Sequence, residues 1–121
     1  VAVDIVLPAR SNHHLADFAR ARAMRDLAEA GVAFHLLPAM SHAKAVVVDE
    51  QLALGGSINL DLRSLLLNHE AGVVFYGAAE IGWMARWIEA QRALGCAYQP
   101  APVGLGRDIA EGLLLAVAFQ L

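Results

Sequence analysis

Apolar and polar positions fall in short blocks along the chain, and each block predicts an element. Val1 to Leu7 is mostly apolar and reads as a strand closed by Pro8. Ser11 to His14 is a polar loop, with His13 and His14 leading into a helix in a loop or capping role. Leu15, Phe18, Ala19, Arg22, Ala23, Leu27 and Ala30 then recur at helical spacing, and Gly31 offers a C-terminal stop. Val32 to Leu37 predicts a second strand, ended by Pro38. Ala43 to Val48 is valine-rich and, apart from Lys44, apolar, as a buried strand requires. A turn over Asp49, Glu50 and Gln51 lets Leu52 to Leu54 pair back as a hairpin. Gly55 and Gly56 then permit backbone that can approach a phosphate closely. Asn59 to Leu66 reads as a short helix and Ala71 to Tyr76 as another strand.

Ala78 to Leu94 predicts an amphipathic helix with Ile81, Met84, Ala85, Ile88 and Leu94 on its core face, stopped by Gly95. Trp83 and Trp87 lie four apart on one side and are expected to pack rather than to form a ligand platform. Strands alternating with helices give an α/β fold, a mixed β-sheet flanked by helices on both faces. The expected organisation is a folded domain over residues 1–98, a Pro/Gly-rich linker over 99–106 and an apolar helix over 107–121. That last helix carries Ile109, Leu113, Leu114, Leu115, Val117, Phe119 and Leu121. It is expected to dock on the sheet or on a missing partner half. The alternative is a place at a membrane interface, against which stands its want of a Lys/Arg-rich polar face.

Composition narrows the classes. At 121 residues the chain is one domain in length, with 58% hydrophobic and 17% charged residues. Such an apolar chain has a core buried on both faces of its sheet, or a large surface that meets a partner or a membrane. The formal net charge of −3 provides no basic stripe, and the helix arginines Arg20, Arg22 and Arg25 are accompanied by Asp17, Asp26 and Glu29. This argues against a nucleic-acid partner. A single cysteine, Cys96, rules out an intrachain disulfide and reads as a small helix-end residue. No apolar run reaches the roughly 18 residues that a membrane-spanning helix needs.

The candidate chemistry lies in Ser41 to Asn59. His42, Lys44 and Asp49 stand in the spacing H-x-K-x-x-x-x-D, and Gly56-Ser57-Ile58-Asn59 forms G-S-x-N. Metal-free cleavage of a phosphodiester needs a nucleophile, positive charge on the phosphoryl oxygens and a proton donor for the leaving alcohol. Imidazole can attack when neutral and donate when protonated. On a strand, side chains two apart share a face, so His42 and Lys44 should enter one pocket. Ser57 and Asn59 supply uncharged donors for phosphoryl oxygens, and the N-terminus of the short helix that follows would add a favourable dipole. Asp49 has an odd offset from His42, so its expected role is structural, at the turn. Glu70 precedes an apolar strand, where a carboxylate could fix the tautomer of a catalytic histidine.

Taken together, His42, Lys44, Asp49, Gly56, Ser57 and Asn59 resemble the signature of the phospholipase D superfamily. The run Gly-Ser-Ile-Asn-Leu-Asp-Leu-Arg-Ser at 56–64, followed by Leu67-Asn68-His69-Glu70, is similar to the bacterial cardiolipin synthase branch, as is the opening Leu7-Pro8-Ala9-Arg10-Ser11-Asn12-His13. The likeness covers about residues 1 to 95 and implies a phospholipase D-like half-domain. It implies that His42 is nucleophile or general acid, with a phosphohistidine intermediate. By the same resemblance Lys44 and Asn59 bind phosphate, Ser57 assists, and Glu70 supports a histidine. Asp61 and Arg63 are expected to buttress the loop. No metal or other cofactor is implied.

One departure shapes the reading. Cardiolipin synthases carry the motif twice, with the active site between two halves, whereas none of His13, His14, His35 and His69 has Lys two residues on. The chain also opens on Val1 and enters a strand at once. The expectation is therefore the C-terminal half of a longer phosphatidyltransferase, or else two copies meeting as a homodimer. The implied partners are a phospholipid such as phosphatidylglycerol, the N-terminal half or a second copy, and a membrane surface. The implied location is the bacterial inner membrane, held peripherally or by segments outside this chain, with the cytoplasmic side a candidate. The rivals are a homodimeric phosphodiesterase or nuclease, and a half-domain that only supports a site elsewhere.

Overall fold

A computed structural model describes residues 1–11, 14–59 and 62–118. The chain divides into two compact units, Val1–Ser41 with Leu94–Leu121, and His42–Ala93. The fold is mixed α/β, and among the described residues six strands form two three-stranded sheets, one in each unit.

In the first unit, β1 (Asp4–Pro8) and β2 (Ala33–Leu37) run parallel, with Asp4 opposite Ala33 and Pro8 opposite Leu37. Parallel neighbours need a crossover, supplied by helix α1 (His14–Glu29). Gly31 ends it at φ +96°, in the left-handed region, while its N–H reaches the Ala28 carbonyl and that of Val32 reaches Leu27. This paired pattern satisfies carbonyls that the last turn leaves open. Met24, Phe34 and Leu37 are buried, and Phe34 meets Tyr98 edge-on at 6.0 Å. Beyond Gly95 the chain adds β6 (Cys96–Ala97), antiparallel to β2, so Cys96 lies in a strand that the sequence pattern does not announce.

Helix α4 (Leu105–Ala118) packs on α1, not on a sheet, and through its polar side. Arg25 donates to Glu111 at 2.5 Å and to Asp108 at 2.9 Å, Arg22 donates to Asp108 at 3.2 Å, and Arg107 donates to Glu111 at 2.8 Å. Glu111 is fully buried. Part of its apolar side faces outward, with Leu105, Ile109 and Leu113 76%, 51% and 65% exposed, while Leu114 and Leu115 are half-buried. Phe119 and Leu121, also expected in this helix, lie outside the described residues. Among the described residues no helix is long and apolar enough to cross a membrane.

The second unit is an antiparallel meander of β3 (Ala45–Val48), β4 (Leu52–Gly56) and β5 (Gly72–Phe75), with helix α2 (Leu62–Leu66) before β5 and α3 (Ala78–Leu94) after it. Val47, Ala53 and Phe75 sit side by side across the three strands. Ile81, Met84 and Ile88 of α3 pack on that row, and Ala53 at its centre is completely buried. The bounds of α3 match the sequence pattern, but Leu94 is 66% exposed and not in the core. Six residues past Ile88, it stands about 120° round the helix from the buried stripe.

Candidate active site

Every described motif residue falls in the second unit. The β3–β4 hairpin brings the two parts of the pattern together. The Gly56 N–H donates to the Lys44 carbonyl at 3.2 Å, which carries the ladder one step past β3 and sets G-S-x-N beside H-x-K. At the far end of the hairpin, Asp49 and Glu50 both take positive φ, 48° and 54°, and the Gln51 N–H closes the turn on the Val48 carbonyl at 2.9 Å. Asp49 is thus a turn residue, one whole strand away from His42.

The strand begins later than the valine run suggests. β3 starts at Ala45, so His42 and Lys44 precede it, and the expectation of a shared strand face does not apply to them. The reason lies in the pairing: the partner strand ends at Gly56, so the β3–β4 ladder reaches no further back than Lys44. Instead the Lys44 ammonium turns back and donates to the His42 backbone carbonyl at 2.8 Å. Lys44 is half-buried, while His42 and Asn59 are exposed.

Gly56 explains how the loop is seated. A β-carbon there would stand 2.3 Å from the Ala71 carbonyl oxygen and 2.7 Å from the Gly72 Cα. Only glycine lets β4 lie this close to the start of β5. The next residue is fastened to the same place, with the Ser57 N–H donating to the Ala71 carbonyl at 2.9 Å and the Ala71 N–H donating to Ser57 Oγ at 3.1 Å.

Glu70 has partners other than a histidine. It accepts from the Ser57 hydroxyl at 2.5 Å and from the Asn68 amide at 3.3 Å, and the buried Ser64 hydrogen-bonds it as well. The Ser57 hydrogen bond foremost holds the Glu70 carboxyl below the usual carboxylate range. Partial desolvation opposes this, while Asn68, Ser64 and the charge of Lys44 add to it. The expected support of a catalytic histidine by Glu70 is absent for His42 among the described residues. Ser64 and Asn68 were visible within the motif run, but their spacing carries no sign that they converge on one carboxylate.

The remaining expectations separate. Helix α2 has only five residues and begins at Leu62, so it offers no long dipole to an anion at Ser57 and Asn59. Asp61 and the side chain of Arg63 lie outside the described residues. Trp83 is 60% exposed and, with Phe75, Ala79, Glu80 and Met84, lines a cavity of about 360 Å³ that includes no motif residue.

Chemically, the H-x-K and G-S-x-N segments bring the His42 imidazole, the Lys44 ammonium and the Asn59 amide to one end of the hairpin, with the Glu70 carboxylate bound to Ser57. The family profile described as "Cardiolipin synthase, PLD-like domain" matches residues 1–92. Cardiolipin synthase A of Proteus mirabilis (strain HI4320) is 41% identical over 75 residues, which is 61% of this chain and 15% of that protein. Cardiolipin synthase A of Buchnera aphidicola subsp. Acyrthosiphon pisum (strain APS) is 40% identical over 75 residues, again 61% and 15%. That of Citrobacter koseri is 37% identical over 86 residues, covering 70% of this chain and 18% of its own length. The chain therefore spans less than a fifth of the relatives it matches. No solved structure matches it. With the profile covering residues 1–92 of 121, the chain belongs to the cardiolipin synthase PLD-like domain family.

Proposed function

We propose that this chain is one half, the C-terminal one, of a phosphatidyltransferase active site that works on phospholipid phosphodiesters through a phosphohistidine. The observation that carries the reading is the meeting of H-x-K and G-S-x-N across the hairpin, through the Gly56–Lys44 backbone bond. His42 is either the attacking imidazole or the imidazolium that protonates the leaving alcohol, and a second histidine from the other half takes the remaining role. Lys44 and Asn59 face the charge that builds on the phosphoryl oxygens. In the first step a nitrogen–phosphorus bond forms, the phosphorus–oxygen bond to the headgroup alcohol breaks, and that alcohol leaves with a proton. In the second step an acceptor hydroxyl attacks phosphorus, gives up its proton and releases the histidine. Phosphatidylglycerol or a related lipid is the proposed donor, and the bilayer surface is the place of work. The second half comes from the same polypeptide or from another copy of this chain.

The test presents the polypeptide holding both halves with phosphatidylglycerol vesicles and, separately, with DNA. Release of glycerol with formation of a lipid of doubled phosphate content is the expected result. Cleavage of DNA with no lipid turnover would replace this reading with a nuclease one.

A further inference from the structure

The Ser57 hydroxyl has one proton to donate and two acceptors in reach, the Ala71 carbonyl at 3.3 Å and the nearer, charged Glu70 carboxylate, which is favoured. The proton is directed at Glu70, at 2.5 Å, while the oxygen accepts from the Ala71 N–H at 3.1 Å. A hydroxyl so engaged has no proton left for a phosphoryl oxygen. Glu70 is itself gripped by Asn68 through its other carboxylate oxygen, and Ser64, only 4% exposed, hydrogen-bonds it from α2. The cluster draws on three stretches of chain: the end of β4, α2, and the segment leading into β5.

From this convergence we infer that Ser64 and Asn68 are positioning residues, which hold Glu70 on Ser57 and so keep its carboxylate from pairing with Lys44. The inference rests on the reading of Lys44 as a phosphate-binding group. Its logic is competition. Glu70 already feels the charge of Lys44. A carboxylate released from its side-chain donors would turn toward that ammonium and occupy the place an incoming phosphate needs. Neither Ser64 nor Asn68 touches the substrate in this scheme. They act by keeping an internal anion fixed and by seating the loop Gly56–Asn59.

The experiment uses the 121-residue chain, with the Glu70 carboxyl followed by carbon NMR through a pH titration and with inorganic phosphate as the binding probe. Ser64→Ala is expected to move the Glu70 titration up, toward that of an ordinary glutamate, and to weaken phosphate binding several-fold. Ser64→Thr, which keeps the hydroxyl, is expected to restore both. Asn68→Ala, at an exposed position, should shift both in the same direction by less, and it stands in if Ser64→Ala does not fold. A role in packing alone would lower stability and leave the Glu70 titration unmoved, and that outcome overturns the inference. If the titration moves as expected but the unaltered chain binds no phosphate, the positioning of Glu70 stands and the phosphate-site reading fails.

Discussion

Gly56 lies against the carbonyl of Ala71 so closely that a β-carbon at Gly56 would be 2.3 Å from that oxygen. The approach joins the end of β4 to the start of β5 and leaves no room for a side chain. Gly56→Ala must push the strands apart, at a cost of about 1–3 kcal/mol for overpacking. The Ser57–Glu70 bond hangs on the same backbone and should be lost with it. Thermal unfolding would report the stability change. Amide exchange at Ser57 and Ala71 would report the opening, and unchanged protection there would contradict this account of the loop.

In the first unit the decisive residue is Glu111. It is fully buried and takes hydrogen bonds from Arg25 and Arg107. Removing one partner of a buried ion pair strands the other charge, so Glu111→Ala should cost about 3–5 kcal/mol. Replacing Glu111 and Arg25 together by leucine and methionine should cost much less, because no buried charge is then left alone. Denaturant unfolding of the two variants would separate these cases.

The same network sets an acid limit. Burial opposes ionisation of Glu111, but the hydrogen bonds and charges of Arg107 and Arg25 outweigh it and hold the carboxyl below its usual range. A carboxyl whose folded value lies below its unfolded value stabilises the fold above the unfolded value, and that contribution fades as pH falls through the folded one. Stability of this unit should be level near neutrality and drop below about pH 4. Glu111→Gln should lower the plateau and flatten the drop. An unaltered acid limb in that variant would assign the effect to other carboxylates.

Glu50 offers a gain. Its φ of 54° puts a long side chain in the left-handed region, beside Asp49 at 48°. Aspartate tolerates that region better than glutamate does. Glu50→Gly relieves the strain and gives back part of the benefit in unfolded-chain entropy, for a net gain of about 0.5–1 kcal/mol. A lower melting temperature in that variant would mean that the turn is held by more than its backbone.

Much of the chemistry was legible in the sequence because it is local. The hairpin around Asp49, the bounds of α3 and the backbone pairing that sets Gly56 beside Lys44 all follow from short-range spacing. What escaped is long-range or depends on where pairing stops. The two-residue β6 has no periodicity to announce it and exists only because β2 offers a free edge. Arg25 and Glu111 are 86 residues apart, and nothing local says that the polar side of α4 faces inward. The leucines of α4 do not say that α1 is its neighbour; the bonds from Arg25 to Asp108 and Glu111 make that contact. At Lys44 the valine run suggested strand, but the ladder ends one step short of a full pair. Glu70 accepts from Ser57, Asn68 and Ser64, and no local spacing announces that convergence.

The central claim is that His42 carries the reaction, and turnover of phosphatidylglycerol vesicles by the His42→Ala variant of the two-half polypeptide tests it most directly. Loss of an acid–base group costs about 10²–10⁴-fold, and loss of the nucleophile costs more. The account therefore predicts a fall of at least about 100-fold, with folding unchanged because His42 is exposed. Near-normal turnover in that variant would contradict it and place the chemistry elsewhere.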